Sequence, residues 1–91
     1  FVVVSIDDLE AAERVVSTLH SAFPDTAVFA RAHDLAKSRE LSELGAYFTV
    51  SETLEASAEL ARAALLHIGT ESQEVEFALT QFRKDYYERA D

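Results

Sequence analysis

Asp7, Asp8 and Arg31 are the side chains whose chemistry and placement stand out in this chain. The two aspartates close the apolar, β-branched run Phe1-Val2-Val3-Val4-Ser5-Ile6, and Arg31 closes a second short run, Ala27 to Ala30. In open α/β sheets the ligand lies outside the carboxyl ends of the strands, near the point where strand order reverses. An aspartate at such an end faces the crevice, and a guanidinium there suits a phosphate or a carboxylate. Plainer roles are open to both. Either aspartate can cap the helix that follows, and Arg31 can pair with Asp7, Asp8 or Asp34. His33, Lys37 and Arg39 follow closely, and with Arg31 they form the clustered basic groups of the first half of the chain. A pocket for carboxylates requires such a cluster.

The elements that must position these groups are legible from periodicity. Phe1 to Ile6 reads as a strand buried on both faces, as parallel strands are when helices cover each side. A helix then carries Leu9, Ala12, Val15, Val16, Leu19 and Phe23 at helical spacing, and Phe23-Pro24-Asp25 stops it. Asp34 is a suitable N-cap for a helix marked by Leu35, Leu41 and Leu44, with Gly45 as its stop. Ala46 to Val50 reads as a third strand. After Ser51-Glu52-Thr53, a longer helix places Leu54, Ala58, Ala61, Leu65 and Ile68 on one stripe and Ala56, Leu60, Ala63 and Leu66 on another. Thr70 and Gln73 fit a capping box that opens a last amphipathic helix through Val75, Leu79, Phe82 and Tyr86. The order β-α-β-α-β-α-α predicts an α/β fold with a parallel sheet.

Composition bounds the function. The chain has 91 residues, 48% hydrophobic with two Gly and one Pro, which predicts one small ordered domain. Eight Lys+Arg against 17 Asp+Glu leave a formal charge of −9, a surface that repels nucleic acid and anionic membranes. The absence of Cys excludes disulfides, thiolate metal sites and thiol nucleophiles. His20, His33 and His67 share no metal-ligand spacing, so no metal site is expected. Glu52, Glu55 and Glu59 line one side of a helix and read as a solvated face. No catalytic set is visible, and no enzymatic activity is expected.

Over nearly its whole length the chain resembles the second half of the RCK (KTN, or Trk-A N-terminal) regulatory domain, in its Kef-type antiporter branch. The pieces that carry the resemblance are Val2-Val3-Val4-Ser5-Ile6-Asp7-Asp8, Phe23-Pro24, Phe29-Ala30-Arg31-Ala32-His33-Asp34, Glu40-Leu41 with Gly45-Ala46, Glu52-Thr53-Leu54-Glu55-Ala56-Ser57 and Phe82-Arg83-Lys84-Asp85. Each alone is weak; in this order and at these spacings they are specific.

The resemblance implies a partial three-layer Rossmann-like sheet, the second half of a domain completed by upstream sequence. It implies an adenine nucleotide, NAD(H) or AMP, in the intact parent, with Asp7, Asp8 and Arg31 as contacts. The Gly-rich turn belongs to the other half, since Gly45 and Gly69 are isolated here, so this chain alone is expected to bind no dinucleotide tightly. His33, Lys37, Arg39, Phe82, Arg83 and Tyr86 are the expected ligand or interface residues. Residues 1–69 are then the half-domain, and 70–91 an amphipathic crossover and dimerisation helix. The implied partners are a second copy, the membrane domain of a potassium (monovalent cation):proton antiporter and a small effector such as glutathione, on the cytoplasmic side of the membrane. Glutathione-gated members carry an asparagine where this chain has Tyr86, a departure that bears on the effector. Two other readings stay open: the C-terminal half of an oxidoreductase's NAD(P)-binding domain, and a receiver-like signalling module. The latter lacks its phosphorylatable aspartate, because the third strand ends Thr49-Val50-Ser51.

Overall fold

The computed structural model describes residues 1–88. It comprises two compact units, Phe1–Glu52 and a second that begins at Thr53. In the first, β1 (Val2–Val4), α1 (Leu9–Ala22), β2 (Val28–Ala32), α2 (Leu35–Glu43) and β3 (Phe48–Ser51) alternate along the chain. The strands form one parallel sheet in the order β1-β2-β3. Val4 lies beside Ala30, and Arg31 lies beside Val50.

Local chemistry sets the helix boundaries. Asp8 caps α1, its carboxylate accepting from the backbone N–H of Glu10 at 3.0 Å and of Ala11 at 3.3 Å. Asp34 caps α2 in the same way through the Lys37 N–H at 3.0 Å. Gly45 follows α2 at φ +116°, where a side chain is strained, and the Ala46 N–H returns to the Leu41 carbonyl at 3.1 Å. A Cβ at Gly45 would also lie 2.4 Å from the His20 ring.

Val4, Val28, Ala30 and Ala32 pack with Ala12 and Val16 of α1 and Leu41 of α2 in one core. Both helices therefore cover the same face of the sheet. Here β1 departs from the expected two-faced burial: Val3 is 64% exposed, while Val4 is 4% exposed. The open face instead carries aromatic contacts around Phe29, whose ring centroid lies 5.9 Å from Phe1, 5.6 Å from Tyr47 and 6.1 Å from Phe48. Strand β2 also runs two residues past the expected Ala30, because its ladder with β3 continues through Arg31 and Ala32.

The second unit contains α4 (Ser72–Glu88) and all but the first residue of α3 (Glu52–His67). Ala58 of α3 packs with Val75 and Leu79 of α4, and Leu65 borders them. The other apolar row of α3 is uncovered, with Leu60 74% exposed. Helix α4 opens one residue later than a Thr70 cap would place it, and the Glu71 carbonyl accepts from the Val75 N–H at 3.0 Å. The expected last helix extended to 91; residues 89–91 lie outside those described. Among the described residues, no helix is long and apolar enough to cross a membrane.

Candidate functional site: a polar cleft at the strand ends

Arg31 is the centre of the site. It sits near the carboxyl end of β2, and because strand side chains alternate, its neighbours Ala30 and Ala32 fill the core while it points to the other face. Its Nη2 donates to Asp7 Oδ1 at 2.7 Å and to the Ser5 carbonyl at 3.0 Å, both just beyond β1. Its Nη1 donates to the Glu52 carboxylate, at the start of α3. One guanidinium thus ties together the ends of all three strands. The hydrogen bond to Asp7, then that to Glu52, raises the Arg31 pKa above its ordinary value, so the group stays cationic.

A cleft of about 400 Å³ opens at this rim, with Asp7, Arg31, His33, Lys37 and Glu52 as its polar walls and Ile6, Leu9 and Leu41 among its apolar ones. The structure thus brings together four of the residues singled out from the sequence: Asp7, Arg31, His33 and Lys37. Asp8 is engaged in capping α1. Arg39 lies on α2 but is not among the cleft-lining residues. Arg31 also borders a hollow of about 440 Å³ on the open sheet face, walled by Phe1, Val3, Phe29, Phe48 and Val50. Two arginine–lysine cations against two carboxylates leave the cleft close to neutral, able to hold a group with both an anionic and a hydroxylic end.

Phe82, Arg83 and Tyr86 lie on α4, in the second unit. Arg83 Nε donates to both Glu55 oxygens, at 3.0 and 3.3 Å, and the Tyr87 hydroxyl approaches the same carboxylate at 3.4 Å. The Tyr86 ring contacts Phe82 at 6.2 Å and Tyr87 at 5.8 Å. Sequence reasoning missed the glutamates. Glu52, Glu55 and Glu59 read as a solvated face, yet each meets an arginine: Arg31, Arg83 and Arg62 respectively. A signal was present in their spacing, since three carboxylates on one helical stripe can each meet a separate guanidinium. Among the described residues, no cluster of His, Cys, Asp or Glu could hold a metal ion.

Fold and cleft define the class: a partial Rossmann-like α/β unit with its polar crevice at the carboxyl ends of parallel strands. Sequence comparison narrows it. The chain is 36% identical over 81 residues to K(+) efflux antiporter 1, chloroplastic, of Arabidopsis thaliana, covering 89% of this chain and 7% of that protein. It is 31% identical over 82 residues to the glutathione-regulated potassium-efflux system protein of Haemophilus influenzae, covering 90% of this chain and 13% of that protein. The fold matches the Kef CTD of Shewanella denitrificans in AMP bound form with a TM-score of 0.81 and 27% identity, over 97% of this chain and 58% of that one. No family model matches the chain. By sequence and fold together, the chain is homologous to a segment of the C-terminal domain of Kef-type potassium efflux antiporters. It spans a small part of the full-length relatives, about 7% and 13% of the two named.

Proposed function

We propose that the chain is a ligand-sensing regulatory segment of a potassium (monovalent cation):proton antiporter, working on the cytoplasmic side of the membrane and not as an enzyme. The observation that carries this reading is the convergence of Arg31, His33 and Lys37 on the strand ends, in a fold shared with an AMP-bound Kef domain. In this reading an adenine nucleotide lies against the carboxyl ends, with Arg31 and Lys37 answering its phosphate and Asp7 facing the adenosine side. The residues fit such a ligand in part. They supply cations and a carboxylate, while the chain contains no Gly-rich turn to cradle phosphate. Upstream sequence of the parent would supply that turn, and this segment alone would hold the nucleotide weakly.

Residues 1–69 then carry the ligand side, and the helix that follows carries dimer contacts through Phe82, Arg83 and Tyr86. Ligand binding favours one arrangement of the homodimer and biases the membrane domain, through a coupling of about 1–3 kcal/mol. A second, glutathione-like effector would draw on His33, Lys37 and Arg39. Tyr86, in place of an asparagine, argues for an effector other than glutathione.

Titrating isotope-labelled chain with millimolar AMP tests the nucleotide reading. Amides at Asp7, Arg31 to His33 and Lys37 should shift together, and Arg31→Gln should abolish the response. Shifts scattered away from the strand ends, or none, would overturn it. Light scattering tests the dimer, and a monomer at high concentration would remove it.

A further inference from the structure

The Arg31 guanidinium already has an anion seated on it. Glu52 accepts from Nη1, while Asp7 and the Ser5 carbonyl share Nη2. A phosphate and a carboxylate seek the same in-plane N–H groups of a guanidinium, so they compete for it. The three acceptors are not equally replaceable. Ser5 offers a backbone carbonyl at the end of β1 and cannot swing away. Asp7, with its side chain 90% exposed, shares its nitrogen with that carbonyl. Glu52 is a flexible side chain, 42% exposed, and it faces the cleft that also holds His33 and Lys37. It is also the first residue of α3, which follows β3 with no intervening loop.

We propose that Glu52 is a built-in competitor for the anion seat of Arg31. Without ligand it positions the guanidinium in the cleft; an entering phosphate displaces it and frees the Glu52 side chain at the first turn of α3. The inference rests on the reading of this cleft as the nucleotide site, and it adds a residue and a consequence to that reading. Ligand binding and the start of α3 become linked through a single hydrogen-bonded exchange, carboxylate for phosphate, on one nitrogen.

The test compares wild-type chain with Glu52→Gln, each titrated with AMP and, as the phosphate-free control, adenosine. The neutral amide competes less well, so Glu52→Gln should bind AMP about tenfold more tightly, with adenosine affinity unchanged. In wild type, AMP should also speed hydrogen exchange at the first turn of α3, and adenosine should not. Glu52→Asp, which keeps the charge on a shorter arm, should give an intermediate affinity and guards against a folding defect in the amide variant. Equal or weaker AMP binding by Glu52→Gln, or an equal gain for adenosine, overturns the competitor role and leaves the nucleotide site standing. No AMP response in any of the three chains overturns both.

Discussion

Arg31 and Arg62 each sit between two carboxylates, but Arg31 lines the cleft at the strand ends while Arg62 bridges two helices. Arg62, on α3, pairs with Glu59 one turn earlier and with Glu76 of α4, through Nε at 2.8 Å and Nη2 at 3.1 Å. Its partners come from two adjoining helices, and it lines neither of the two hollows described above. Arg31 takes its partners from residues 21 to 26 positions away, at the ends of two other strands. The contrast is one of setting: the same ion-paired guanidinium bridges two helices in one place and closes the strand ends in the other. Parallel strands that end together leave a crevice at their carboxyl ends that two packed helices do not.

The contrast can be broken first at the sheet core. Leu41 is fully buried under the cleft it helps line, so Leu41→Ala should lose about 2–5 kcal/mol in chemical denaturation and the AMP response with it. Survival of both would separate the cleft from its core. Gly45→Ala comes next, because it strains a positive φ and meets His20; a loss of about 1–3 kcal/mol is expected. Adding His20→Ala should recover the steric share and leave the backbone share. A smaller, sharper comparison pairs Arg31→Gln with Arg62→Gln. AMP-induced shifts should disappear in the first and persist in the second, and equal losses would deny the cleft any special place.

The smallest effects are in pH dependence. Hydrogen bonds from Arg62 hold the Glu76 carboxyl below its ordinary value of 4.5. That pair therefore contributes stability above pH 4.5, and the contribution fades as pH falls through the depressed value. Glu13 behaves oppositely: desolvation first, then the neighbouring Glu40, raise its pKa above 4.5. Ionising it costs stability as pH rises from 4.5 through the raised value. Thermal melts should show Glu76→Gln less stable than wild type at pH 7 and Glu13→Gln more stable. Both differences should close in acid, and a reversed sign for either would refute its assigned cause.

Much of the fold was legible because its signals are local. Asp8, Asp34 and Gly45 act within a few residues of themselves, and their capping and stopping roles follow from side-chain length and backbone freedom. The apolar stripes of α1 and α2 likewise point to Val16 and Leu41, which lie at the centre of the core. The run Phe1–Ile6 was harder. Its uninterrupted apolarity is the pattern of a strand covered twice, and composition cannot tell which cover is present. Of the site, the cations were visible as a cluster. Glu52 was not, because a carboxylate on a helix looks solvated until the sheet brings Arg31 to it.

Element order, the caps of α1 and α2 and the basic cluster were thus written in the chain itself, each depending on neighbours a few residues away. Which face of the sheet would be covered, and which carboxylates Arg31 would hold, were decided only when three strands aligned. Those outcomes depend on contacts between residues more than twenty positions apart, and no local pattern records them.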